Sequence, residues 1–285
     1  GVGATLNHVG GRFRGSIGTR YDETDYDDTR RRFVNAVNLF PAADPFCPTG
    51  RLAGQFLTCN NDDRDRAIWE SFVKLGYAIS PGYAVFVRGK YNDRDFNSGN
   101  PSFGNLEVDD AGVNRDSTGW GVEAGVDFEV ARLVTGEVFL GYAEQDYDAA
   151  VLRDTDAFTF GANLQWYASM LTTVTFDVSR KIEDTTDVAS MLAGSSGFIS
   201  DRYGVRVDHE LMRNVILYGK VGFGQDEYQL IAREDDVLNA GVGALFLVNN
   251  NLHVTASYDF VDRDSNVPVF DYSNNVFQLT LTGKL

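Results

Sequence analysis

The sequence predicts an all-β protein, an antiparallel up-and-down transmembrane β-barrel, and three observations carry that expectation. Apolar and polar residues alternate with period two in one stretch after another. Aromatic residues recur eight positions apart on the apolar face of those stretches. Short turns at one end of the stretches alternate with longer polar connections at the other, the asymmetry of bacterial outer-membrane barrels.

Residues 69–91, WESFVKLGYAISPGYAVFVRGKY, show the pattern most clearly. Trp69, Val73, Leu75 and Tyr77 share one face, and Glu70, Phe72, Lys74 and Gly76 the other. After the turn Ile79-Ser80-Pro81-Gly82, Tyr83, Val85, Val87 and Tyr91 lie opposite Ala84, Phe86, Arg88 and Lys90. Pro-Gly supplies a fixed φ followed by a permissive residue, so the two arms form a hairpin. Trp69 and Tyr77 bracket one apolar stripe, Tyr83 and Tyr91 the next. Eight residues of tilted strand climb roughly 21 Å, close to the apolar band between two aromatic girdles.

The same unit recurs along the chain. Residues 1–8 and 11–26 flank His8-Val9-Gly10-Gly11, with Val2, Ala4 and Leu6 alternating in the first arm. Residues 64–79 pair with 82–97, 115–130 with 133–148 through Ala131-Arg132, and 153–168 with 171–185 through Ser169-Met170. Residues 199–211 pair with 214–229 through Met212-Arg213, and 233–248 with 252–264 through Asn249-Asn250-Asn251. A last arm, 272–285, ends the sequence. Trp120 with Phe128, Phe158 with Trp166 and Val215 with Phe223 repeat the eight-residue spacing. Trp69, Tyr77, Tyr83, Tyr91, Trp120, Phe128, Phe158 and Trp166 are therefore expected to face lipid in two rings.

The connections at about 27–63, 98–114, 186–198 and 265–271 are rich in Asp, Asn, Gly and Ser and belong on the cell surface. Strands also run past the apolar band there as YDETDY, YNDRDF, YAEQDY and FGQDEY, which predicts a polar collar. About 12–14 strands are expected in this chain, as one domain with a long surface loop at about 27–63. An odd arm at residues 1–8 conflicts with the even strand numbers of bacterial barrels. Either a partner strand lies upstream, which the alternation Val2, Ala4, Leu6 favours, or residues 1–8 are only an extension and residues 11–285 give twelve strands.

Net charge is −16, from 41 acidic and 25 basic residues, which argues against nucleic acid and anionic membrane surfaces as partners. No run of about 18 apolar residues exists, so no spanning helix is expected. Cys47 and Cys59 share the longest loop, and a disulfide between them would contribute about 3 kcal/mol in an oxidising compartment.

Opposite the apolar stripe stand Arg12, Arg14, Arg20, Glu70, Lys74, Arg88, Lys90, Glu123, Asp127, Glu129 and Glu137. Asp177, Arg206, Asp208, Glu210 and Lys220 continue the series. Charges at the midplane cost several kcal/mol against lipid, so they are assigned to the lumen. Acids and bases at similar height in the third to sixth arms suggest cross-strand ion pairs. The acid excess predicts a modest cation preference, with Glu123, Asp127 and Glu129 as its seat.

Catalytic chemistry is not expected. His8, His209 and His253 lie apart near the short turns, and no nucleophile arrangement accompanies them. No Cys/His spacing suggests zinc. Asp262 to Ser273 begins like a calcium loop but has Val267 where glycine and Ser273 where glutamate are needed. Weak Ca²⁺ binding is left to acidic clusters such as Asp109-Asp110 and Glu234-Asp235-Asp236; no metal site and no cofactor is otherwise expected.

The stretches DRDRAIWESFVKLGYAISPGYAVFVRGKYNDRDF, NRDSTGWGVEAGVDFEVARLVTGEVFLGYAEQDYD and YGVRVDHELMRNVILYGKVGFGQDEY resemble the outer-membrane β-barrel family called beta-barrel porin 2, abundant in alphaproteobacteria. The ending from Arg233 to Leu285 resembles it too. The resemblance implies a bacterial outer-membrane protein that is porin-like or associated with exopolysaccharide export, with additional strands before the point matching Gly1 and about 16–18 in a complete barrel. It implies outer-membrane lipid and lipopolysaccharide as surroundings. The other reading is a non-conducting surface scaffold whose loops and collar hold a polysaccharide or protein partner.

Overall fold

A computed structural model describes residues 1–26, 29–32, 51–53, 56–59, 65–96, 114–185, 190, 195–249 and 251–283. Thirteen long strands form one antiparallel sheet in which each strand pairs with the next along the chain. They are β1 (Val2–Gly10), β2 (Phe13–Thr24), β6 (Arg66–Ser80), β7 (Tyr83–Phe96), β8 (Ser117–Val130), β9 (Val134–Tyr147) and β10 (Thr155–Ser169). They continue through β11 (Thr172–Asp184), β12 (Gly197–Met212), β13 (Val215–Tyr228), β14 (Glu234–Leu247), β15 (Leu252–Ser265) and β16 (Tyr272–Gly283). This is the up-and-down order of an outer-membrane barrel, and all thirteen sequence-predicted arms are present.

Two features depart from the sequence reading. Segment 27–63, expected as a loop, carries β3 (Thr29–Arg32), β4 (Arg51–Ala53) and β5 (Phe56–Cys59), which form a separate small sheet. Four residues or fewer leave too little alternation for a strand to be read from sequence. The expected disulfide falls outside the described residues at Cys47 and outside the described side chains at Cys59. The supposed calcium loop is also no loop at its start, because Asp262 and Asp264 sit in β15.

Ladder geometry explains the regularity. The turn between β6 and β7 places Gly82 at φ 86°, and the one between β8 and β9 places Ala131 and Arg132 at φ 50° and 60°. Both central positions left-handed is the type I′ arrangement, whose twist matches that of the flanking strands. A fourteen-residue strand such as β8 extends about 48 Å, or roughly 36 Å along the membrane normal at a 40° tilt. That exceeds the apolar band by about 10 Å, so the upper strand ends stand clear of lipid.

The sheet splits near its upper rim. The β10–β11 ladder ends at Phe160 opposite Arg180. Above that level β10 stays paired with β9 as far as Thr155, and β11 with β12 as far as Asp184. Freed from β10, the tip of β11 reaches strands that a continuous sheet would hold away from it.

Candidate functional site

Alternation fixes which side chains share a face, and register brings them to one height. On the outer face the girdle residues are cross-strand neighbours: Tyr21 opposite Trp69, Tyr91 opposite Trp120, and Tyr142 opposite Phe158 form the upper row. Phe13 opposite Tyr77 and Tyr83 opposite Phe128 lie in the lower one, with Trp166 beyond them. Trp69, Tyr77, Tyr83, Tyr91, Trp120, Phe158 and Trp166 are exposed, and Phe128 is half-buried. Trp69 Nε1 donates to Thr19 Oγ1 at 2.6 Å, which gives the indole a polar partner at interface height. Each of Trp69, Trp120 and Trp166, kept as the single tryptophan, should be quenched by brominated lipid in reconstituted vesicles. Absence of quenching at all three would exclude this face from the membrane.

On the inner face, four adjacent strands assemble one charged network. Lys74 Nζ on β6 donates to Asp127 Oδ1 on β8 at 2.8 Å and to Glu137 Oε2 on β9 at 2.6 Å. Arg88 on β7 donates from Nε to Glu123 Oε2 at 2.6 Å and pairs through NH2 with Glu137 Oε1 at 2.8 Å. Lys90 Nζ reaches the other oxygen of Glu123 at 2.6 Å. Lys74 and Glu137 are three strands apart, about 14 Å on a flat sheet, so the contact reports inward curvature as well as long side chains.

Phenylalanine rings lie under these cations. Lys74 Nζ stands 3.8 Å from the Phe86 ring centroid, and the Arg88 guanidinium 4.9 Å from that of Phe139. Such contacts add about 0.5–2 kcal/mol each, more when desolvated. Glycine makes room for the rings: a Cβ at Gly125 would meet Phe86 Cζ at 2.5 Å, and one at Gly161 would meet Phe139 Cζ at 2.4 Å. Glu123 is left with a side chain only 6% exposed, between two cations.

Charge on this wall is balanced, three acids to three bases. The chain's acid excess therefore does not reside in this network. Glu129, grouped with Glu123 and Asp127 by alternation, is exposed, and its carboxylate joins no ion pair among the described residues. Arg14 and Glu210 likewise stand exposed. Arg12 donates to Tyr77 Oη at 3.4 Å, Arg20 pairs with Asp22 on its own strand, and Glu70 lies opposite Arg20. Asp177 accepts from Asn163. On the far side of the sheet Arg206 chelates Asp208 two residues away and lies over Tyr218, while Lys220 pairs with Asp259 at 2.6 Å.

Two clusters at the upper rim are absent from the sequence reading. In the first, Asp184 at the freed tip of β11 accepts from Arg94 NH1 on β7 at 2.6 Å and from Tyr147 Oη on β9 at 2.9 Å. Burial raises the Tyr147 phenol well above its ordinary value, and Asp184 adds to it. Burial lowers the Arg94 guanidinium, but Asp184, with Tyr147 and Glu183, brings it above its ordinary value. In the second, Asp235 takes Arg233 NH2 at 2.6 Å, Arg263 NH1 at 2.8 Å and Ser265 Oγ at 2.5 Å. Asp226 takes Arg202 at 2.6 Å and Arg263 at 3.4 Å, and both aspartates are fully buried. Arg233 is stacked between Tyr228 at 4.1 Å and Phe270 at 3.5 Å, the latter carried by a short 3-10 turn, Pro268–Phe270.

Of the acidic run Glu234-Asp235-Asp236, Asp235 points inward and is paired with arginine. Asp109 and Asp110 lie outside the described residues. The signal for both clusters was the same alternation, carried upward past the girdle: Arg94, Tyr147, Asp226, Asp235 and Arg263 all hold inward positions.

The profile of the family described as "Putative beta-barrel porin 2" matches residues 1–285. None of the curated proteins matches the chain by sequence. Among solved structures the chain is similar to a NanC porin, at 12% identity over 76% of this chain and 94% of that one, TM-score 0.39. It is similar to the CymD monoaromatic hydrocarbon channel at 10% identity, over 99% and 82%, TM-score 0.43. To OmpT of Vibrio cholerae the identity is 13%, over 97% and 78%, TM-score 0.43.

Proposed function

Because the chain belongs to the beta-barrel porin 2 family, a group of bacterial outer-membrane proteins, we propose that it is a porin-like channel for polar solutes. The observation that carries this reading is the wall formed by β6–β9. Its outer face is apolar with aromatic edges, while its inner face holds Lys74, Arg88, Lys90, Glu123, Asp127 and Glu137 at membrane height. Such charges need water or polar solute beside them, and the partial exposure of Lys90, Asp127 and Glu137 supplies that contact.

The channel reading assigns these groups to orienting and stabilising polar cargo, not to bond making. Passage of a secreted polysaccharide is its narrower form, and outer-membrane lipid with lipopolysaccharide surrounds the girdles. Purified protein in a planar bilayer should give discrete conductance steps. A barrel that inserts but shows none overturns the channel. The second reading, a closed surface scaffold, draws on the Arg94–Asp184 pair, which ties β7 to β11 across the rim.

A further inference from the structure

Below the Arg94–Asp184 pair, on the inner side of β6–β11, lies a recess of about 300 Å³. This is the size of the smaller ligand sites in proteins. We propose that it is a binding subsite for a neutral, hydroxyl-rich solute, a mono- or disaccharide unit, at the mouth of the channel. The inference rests on the channel reading for its role in transport, but the binding can be measured on its own.

The lining carries equal charge of each sign, the bases Arg66, Lys90, Arg94, Arg180 and Lys181 against the acids Glu70, Glu123, Glu144, Glu183 and Asp184, and most of these charges are held in ion pairs. Lys90 holds Glu123, Arg94 holds Asp184, and Lys181 holds Glu183. With acids and bases equal in number, the lining offers no net charge to capture an ion, and an ion of either sign would also have to compete with these pairs. What remains is neutral hydrogen-bonding capacity, from the Asn92 and Gln145 amides and the Thr159 and Ser179 hydroxyls, above the ring of Phe139. Gln145 spends one donor on Ser117 at 2.9 Å.

Three atoms of the lining are buried without a protein partner among the described residues: Asn92 Oδ1, an acceptor, and Arg66 Nε and Arg94 Nε, both donors. A hydroxyl both donates and accepts, so it is the neutral group that satisfies both kinds of orphan. Asn92 is half-buried and its amide can turn toward a solute. The hydroxyl edges of a sugar ring fit the polar lining.

Titration calorimetry on the detergent-solubilised protein with glucose, maltose and glucuronate tests the assignment. Glucose or maltose should bind saturably and more tightly than glucuronate. Asn92→Leu and, independently, Ser179→Ala should each weaken that binding by about three- to tenfold, the range of one lost hydrogen bond. Ser179→Ala leaves the backbone ladder intact, so it reports even where the Asn92 variant does not fold. No saturable binding of either neutral sugar, tighter binding of glucuronate, or unchanged binding in a folded variant overturns the subsite. Conductance of the same preparation separates the two claims. A conducting protein without sugar binding removes the subsite alone, and sugar binding without conductance removes the channel alone.

Discussion

Replacing Asp235 with leucine is expected to lower the stability of the barrel by about 3–5 kcal/mol, the cost of leaving a buried charge without its partner. Arg233 has a side chain only 5% exposed and Arg263 one 20% exposed, and both lose a carboxylate that water cannot replace. The Ser265 hydroxyl loses its acceptor as well. The midpoint of urea unfolding in detergent micelles measures the effect. A change below 1 kcal/mol would mean that water reaches this cluster freely.

The same site gives a pH dependence with a definite sign. Burial pushes the Asp235 carboxyl up, but hydrogen bonds from Arg233 and Ser265 and the two guanidinium charges bring it below the ordinary aspartate value. A group lowered in the folded state contributes stability that is fully present above its unfolded value. That contribution is lost as pH falls through the lowered folded value, so acid should loosen the β13–β15 rim only below the usual carboxylate range.

The second large effect concerns the inner wall. Glu123→Gln keeps the shape of the side chain but leaves Lys90 without a counter-charge and Arg88 with Glu137 alone. Its cost should sit at the lower end of the roughly 3–5 kcal/mol for a broken buried pair, since Glu137 still compensates Arg88. Neutralising Glu123, Asp127 and Glu137 together exposes three cations on one wall. A shift of only 1 kT in local potential changes the cation-to-anion ratio about sevenfold, so reversal potentials should move toward anion preference. Glu129→Gln should leave them nearly unchanged, because Glu129 stands outside the network. Equal effects from both would mean that charge acts at long range through the lumen and that the pairing is incidental.

Much of this architecture was legible before any coordinates. Thirteen arms, their turns and the shared outward face of the aromatics follow from period-two alternation, since a strand in lipid shows its outward face with little ambiguity. Register was not legible. Nothing in the linear pattern says that Lys74 meets Glu137 three strands away, or that the Glu129 carboxylate joins no ion pair among the described residues. The rim clusters were hidden for a related reason. Asp235 and Asp236 look alike as letters, and only their parity on β14 sends one into an arginine cluster and the other to solvent. The split between β10 and β11, which lets Asp184 meet Arg94, leaves no trace in composition at all.

The balance of the inner wall has a consequence that its zero sum conceals. Its bases come from β6 and β7 and its acids from β8 and β9, so positive and negative charge occupy adjacent sectors of the circumference. A wall arranged this way carries a dipole lying across the direction of flow. Within about 8 Å of the surface, before salt screens it, that field turns a passing polar molecule broadside and aligns its own dipole against the wall. Two solutes of equal size and no net charge would then cross at different rates, sorted by the moment they carry.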